Sequence, residues 1–206
     1  MAKIGITLNE VLRSFIEQLT YTYNKYIQDI DINKDDVKDF DLIKYFEFDS
    51  VDKLNKFMYL EAPLEIFGHA DLTSDGLMVS FNQFLMDIQD EEEHEILIVS
   101  REIDKSIPST NFFLSKTGCR ATDIKYVKKY SQKWDNVDFL ITANPETLLC
   151  KPNGKVSIKV KASYNTDVPA DFEIDSILDF IKDEELRNRI LKSKTITYEE
   201  IKPQLW

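Results

Sequence analysis

The spacing of apolar residues changes near the start of the chain. Ile4 to Ile6 form a short apolar run, a polar turn follows at Thr7 to Asn9, and apolar side chains then recur at Leu12, Phe15, Ile16 and Leu19. The first pattern is that of a strand and the second that of one helix face, which predicts a strand, a turn and a helix over about Glu10 to Ile27. DIDINKDDVKDFD comes next, polar and acidic, and reads as a solvated connector. Its Asp29, Asp31 and Asn33 mimic a calcium loop, but Lys34 stands where glycine is needed and Phe40 where a bidentate Glu belongs. Amphipathic helices are predicted over 41–60 and 77–89, joined by a segment with turn chemistry at Pro63, Gly68 and Gly76.

From residue 95 the rhythm is different. EILIVS, DIKYV, DFLIT and KVSIKV are short apolar runs, with helical stretches at SIPSTNFFLSKTG and KKYSQKW between them. A helix over about Ile177 to Leu191 follows, with Ser176 and Asp179 as a capping pair, and then the tail TITYEEIKPQLW. Short apolar strands alternating with helices imply an α/β fold, a mostly parallel sheet flanked by helices. Such sheets bind ligands beyond the carboxyl ends of their strands. Here those ends carry Thr7 to Asn9, Ser100, and Ala143–Asn144.

Composition narrows the chemistry. The 206 residues include 13 Phe and 9 Tyr, enough apolar side chain for a sizeable core. A net charge of −11 argues against wrapping nucleic acid, so no nucleic-acid partner is expected. The acid reads first as solubility and second as attraction to a basic partner. No apolar stretch approaches a membrane span, and the N-terminus carries no pattern of an export signal, so neither membrane nor secretion is expected. Cys119 and Cys150 make no disulfide framework and fit a reducing compartment. Five glycines leave no glycine-cradled phosphate loop, and His69 and His94 lack ligand spacing.

The order of strand ends resembles the haloacid dehalogenase (HAD) superfamily of phosphohydrolases, most of all its small phosphatase and deoxyribonucleotidase branch. The family opens with an apolar strand and Asp-x-Asp-x-(Thr/Val)-Leu; the same frame here is Thr7-Leu8-Asn9-Glu10-Val11-Leu12. A strand ending in Ser or Thr is matched by ILIVS at Ser100. For the family's lysine the best match is Lys133, with Lys128 and Lys129 as alternatives. The family's acidic pair after the last motif strand is met by LITANP, which puts Ala143 and Asn144 in the carboxylate positions. The resemblance covers about residues 3–165 and implies a HAD-like Rossmannoid core over 1–28 and 91–192. It also implies a helical cap insertion over 29–90 and a C-terminal arm over 193–206.

The family's chemistry, as the resemblance implies it, needs a nucleophilic Asp, a second Asp as acid and base, and carboxylates for Mg²⁺. Ser or Thr and Lys hold the phosphate. Only that last requirement is kept here, so no catalysis, cofactor or metal is expected. The residues also have plain structural readings. Thr7 and Glu10 form a capping box, Asn9 and Asn144 suit turns, Ser100 satisfies a loop, and Lys133 is a surface charge. Composition and degenerate motifs together resemble virion proteins of tailed bacteriophages, particularly crAss-like phages. The resemblance implies a non-catalytic building block of a neck or tail ring, assembled in the host cytoplasm. Its partners would be copies of itself and other virion proteins, with Leu205 and Trp206 as contact candidates. The alternative is a Mg-dependent phosphatase or 5'-nucleotidase with displaced carboxylates from Asp71, Asp75, Asp104 or Asp138.

Overall fold

The computed structural model describes residues 2–91 and 94–199. Six parallel strands form one sheet in the order β3-β2-β1-β4-β5-β6. They are β1 (Lys3–Ile6), β2 (Glu95–Arg101), β3 (Ile124–Val127), β4 (Phe139–Thr142), β5 (Val156–Val160) and β6 (Phe172–Ile174). β1 lies between β2 and β4, with Ile6 level with both Ile98 and Ile141, so the three predicted strand ends meet at one edge. Strands buried on both faces explain the unbroken apolar runs in the sequence. Gly5 is required by this packing, because a Cβ there would sit 2.7 Å from Leu140 Cδ1 and 3.0 Å from Val137 Cγ1.

The helices are α1 (Phe15–Tyr26), α2 (Val51–Lys56), α3 (Leu77–Glu91), α4 (Ser106–Lys116), α5 (Pro145–Leu149), α6 (Ile177–Lys182) and α7 (Glu184–Glu199). Three separate apolar clusters form the core. The first lies on one face of the sheet and takes in Leu77, Met78, Phe81, Phe84, Leu85 and Ile88 of α3 with Ile177 and Phe180 of α6, and a smaller third of Val99, Val127, Trp134, Val137 and Leu140 lies on the other face. The second joins Phe15, Ile16, Leu19 and Tyr23 of α1 to Val37, Phe46, Leu54, Phe57, Ile66 and Phe67. By packing, α1 shares its apolar core with residues 37–67, and residues 15–68 are called the cap below, while α3 packs on the sheet. Two linkers join cap and sheet and pair with each other, Ser14 N–H donating to Asp71 O at 2.9 Å and Thr73 N–H to Leu12 O at 3.2 Å.

Several local expectations change. The first helix begins at Phe15 rather than Glu10, because residues 8–13 form a tight loop with Glu10 at φ 57°. The Thr7–Glu10 capping box does not form. Glu10 instead reaches forward, and its carboxylate accepts the N–H of Ile16 at 2.8 Å, satisfying the open end of α1 from the loop. The helix predicted over 41–60 breaks into a 3₁₀ turn at Leu42–Lys44, α2 capped by Ser50, and a π turn at Phe57–Glu61. The acidic connector is less solvated than expected, since Val37 is fully buried and Ser163 Oγ donates to the carbonyls of Lys34 and Val37. The Ser176–Asp179 capping box is present, but the helix after it breaks at Asp183. The arm expected from residue 193 begins inside α7, which continues to Glu199. Leu205 and Trp206 lie outside the described residues.

Candidate functional site

At the carboxyl ends of β1, β2 and β4, five of the six motif positions line one small cavity of about 50 Å³: Thr7, Asn9, Ser100, Lys133 and Asn144. Arg101 and Tyr130 from the sheet side and Phe15, Phe40 and Tyr59 from the cap close it. Ala143 does not reach the cavity; it is fully buried, and its carbonyl accepts from Asn165 Nδ2 at 2.8 Å. Lys128 and Lys129 are exposed beyond β3.

Each neutral motif side chain already holds an internal bond. Thr7 Oγ1 donates across to Thr142 Oγ1 at 3.1 Å, with Ile141 O at 3.3 Å. Asn144 is the N-cap of α5, an element the sequence had suggested only as a turn. Its Oδ1 accepts the N–H and hydroxyl of Thr147, both at 2.7 Å, while Pro145 occupies the first helical position. Ser100 Oγ donates to Glu102 Oε1 at 2.9 Å.

Asn9 is held by a residue that sequence reasoning passed over. Arg13 lies with its side chain fully buried, and its Nε and Nη2 donate to Asn9 Oδ1 at 2.9 and 2.5 Å. Nη1 donates to Phe67 O at 3.1 Å and Thr110 Oγ1 at 2.8 Å, and Nη2 also donates to Glu102 Oε1 at 2.9 Å. All five guanidinium donors are thus used. The rings of Phe67 and Phe113 flank the group at 5.0 and 5.5 Å. Glu102, 1% exposed in its side chain, supplies the counter-charge, and Thr110 Oγ1 donates to the same Oε1 at 2.9 Å. The other carboxylate oxygen, Oε2, has no hydrogen-bond partner among the described residues. The network joins the β1 loop, the end of β2, α4 and the last turn of the cap. A lone Arg in an apolar-periodic stretch, VLRSF, was the available signal, because an arginine on the inward face of such a stretch needs a buried partner.

Lys133 is the exception to the pattern of filled bonds. It is not a surface charge but 6% exposed, in a 3₁₀ turn over Tyr130–Trp134. Its ammonium makes no ion pair or hydrogen bond among the described residues and lies 5.5 Å from the centre of the Tyr130 ring. Burial pulls its pKa down to about 8, with Glu102 opposing and Arg101 adding to the shift. Burial, with the nearby Glu102 charge, also pushes the Tyr59 hydroxyl up to about 12.

The residues do not fit a carboxylate-held magnesium. The oxygens of Thr7, Asn9, Ser100 and Asn144 are neutral and already bonded, the one carboxylate beside them, Glu102, is paired with Arg13, and that guanidinium occupies the place where a cation would approach Asn9. Among the described residues no group of three or more His, Cys, Asp or Glu could hold a metal ion. Of the displaced carboxylates considered, none lines the cavity, and Asp138 lies at the opposite end of the sheet, accepting from Lys3 N–H at 2.9 Å.

No protein-family model matches the chain. No curated protein matches it either. Among solved structures, the HAD-hydrolase YfnB from Bacillus subtilis, crystallised with magnesium, superimposes with a TM-score of 0.54. The match covers 92% of this chain and 98% of that one at 9% sequence identity. The strand order, the parallel sheet and this superposition agree. The chain has a HAD-like fold. At that identity the likeness speaks for architecture alone, and the HAD-like frame is what makes the Arg13 network informative. It occupies the strand ends that the fold presents to a ligand.

Proposed function

We propose that this chain is a non-catalytic HAD-like protein that acts through contacts with other proteins. The observation that carries the reading is the pair of N–H bonds from Arg13 to Asn9, which turns the frame's acid–base position into part of a buried structural ion pair. Asn9 has no titratable proton at neutral pH, and Thr7 has no base beside it. The same network ties the cap to the sheet through Phe67 O. Ser163 on the other flank does so through Lys34 and Val37, so the cap is fastened on both sides of the cavity. A cap that admits substrate has to open; one held by buried charge opposes it.

Protein contact is supported by what the cap displays. Over residues 15–68 it bears twelve carboxylates against six lysines. It also exposes Tyr21, Tyr26, Ile27, Val51, Leu60 and Leu64. Acidic surface with large apolar side chains suits a basic or mixed protein partner. The resemblance to phage virion proteins makes a neck or tail ring subunit the specific form of this reading, with further copies and other virion proteins as partners.

The test is a Mg²⁺-dependent assay on a generic phosphate ester together with light scattering of the chain alone and with candidate partners. Hydrolysis at background and assembly or partner binding are expected. Turnover that disappears on replacing Thr7 or Asn9 would overturn the non-catalytic reading in favour of a phosphatase or nucleotidase. A strictly monomeric chain without partners would overturn the contact role.

A further inference from the structure

We propose that the Lys133 amine is a carbamylation site, taking up carbon dioxide as a covalent Nζ-carboxylate that fills the cavity at the strand ends. An ammonium on a side chain buried to this degree, with a ring face but neither an ion pair nor a hydrogen bond among the described residues, is costly, and three features point to this resolution of it. First, Lys133 is 6% exposed and lines a cavity of about 50 Å³, large enough for a group of three heavy atoms. Second, the lining holds donors for a carboxylate. Arg13 claims only the Oδ1 of Asn9, which leaves the Nδ2 without a hydrogen-bond partner among the described residues, and Arg101, stacked at 4.8 Å on the Tyr130 ring, donates among them only through Nε, to Lys128 O at 3.2 Å. Third, the attacking amine has to be neutral, and burial holds the Lys133 pKa near 8. At neutral pH this leaves about two orders of magnitude more free amine than on an ordinary lysine. The charged and titratable groups around it are Arg101 and Glu102, with Tyr130, Tyr59 and Tyr164 as neutral hydroxyls in the lining.

The reaction balances without a further reagent. The Nζ lone pair forms a bond to the carbon of CO₂, one C=O pair moves onto oxygen, and one N–H proton leaves to water. The products are a secondary carbamate anion and H⁺. The Arg101 guanidinium then faces an anion instead of a second cation, while the Glu102 carboxylate, already paired with Arg13, opposes the change. A mineral anion bound to the ammonium would neutralise the same charge but leave Lys133 unmodified, so the two are separable by mass.

The full chain is equilibrated with ¹³C-bicarbonate near pH 8, trapped with a trialkyloxonium reagent and mapped by peptide mass spectrometry. A labelled alkyl carbamate on Lys133, in clear excess over exposed Lys128 and Lys129, is expected. A matching ¹³C carbamate resonance should be present in the untreated protein and absent from Lys133→Arg. Because the peptide map localises the adduct in the unaltered chain, the outcome does not depend on the variant folding. An unmodified Lys133, or labelling no greater than on the exposed lysines, overturns the proposal.

Discussion

Replacing Glu102 by Gln removes one charge and keeps the shape of the Arg13 network. Both partners have 0–1% side-chain exposure, so the guanidinium left behind has no water to turn to. The amide oxygen still accepts, but the charge opposite Arg13 is gone. Breaking a buried pair in this way costs about 3–5 kcal/mol. For a chain of this size each kcal/mol lowers Tm by roughly 2–4 °C, so a fall of about 6–20 °C is expected. Urea unfolding followed by fluorescence of the buried Trp134 gives the free energy directly, with an unchanged slope marking an unchanged fold. The double variant Arg13→Met with Glu102→Leu replaces the pair by apolar side chains and should recover most of the loss, leaving a coupling of several kcal/mol in the cycle. A Glu102→Gln protein within about 1 kcal/mol of the parent, or a double variant as unstable as the sum of the singles, would refute the view that this pair is held by mutual compensation in a dry site.

Lys133 makes stability depend on alkaline pH. Its pKa is depressed to about 8 on folding from the ordinary lysine value of 10.5, so between those values the unfolded chain binds more protons and stability rises with pH. Measured in CO₂-free buffer against Lys133→Met, the parent should gain roughly 3 kcal/mol over that window and change little below pH 7; a flat difference curve would contradict the burial of an unpaired ammonium. Gly5→Ala drives a methyl against Leu140 and Val137 in the middle of the sheet and should cost roughly 1–3 kcal/mol in the same unfolding assay. An unaltered midpoint would mean that the strands separate more easily than their packing indicates.

The runs of β1, β2 and β4 were legible because they are nearly unbroken apolar stretches bounded by turns, and a parallel sheet buried on both faces leaves no other place for ILIV or FLIT; β6, with Glu173 in its middle, was not. Short-range chemistry was legible in the same way. Ser176 and Asp179 stand three residues apart and cap α6 as their spacing implies. The helix starts and breaks were not. Nothing local to Glu10 says that it will take a left-handed turn and cap α1 from outside, and nothing local to 41–60 says that its apolar residues will wrap a cap core in broken turns.

The site divides along the same line. Local pattern was enough to place Thr7, Asn9, Ser100, Ala143 and Asn144 at one edge, because strand ends in a parallel sheet converge, whereas Lys133 entered only through the family resemblance. Pairing across long separations was beyond it. Arg13 and Glu102 lie 89 positions apart, and Arg13 and Phe67 lie 54 apart; only the folded chain shows that they share one dry network. Burial likewise separates Lys133 from Lys128 and Lys129, three lysines within six residues whose exposure the sequence does not show. A periodic pattern records which side chains avoid water, whereas the partner of a buried charge is settled by whichever distant segment packs against it.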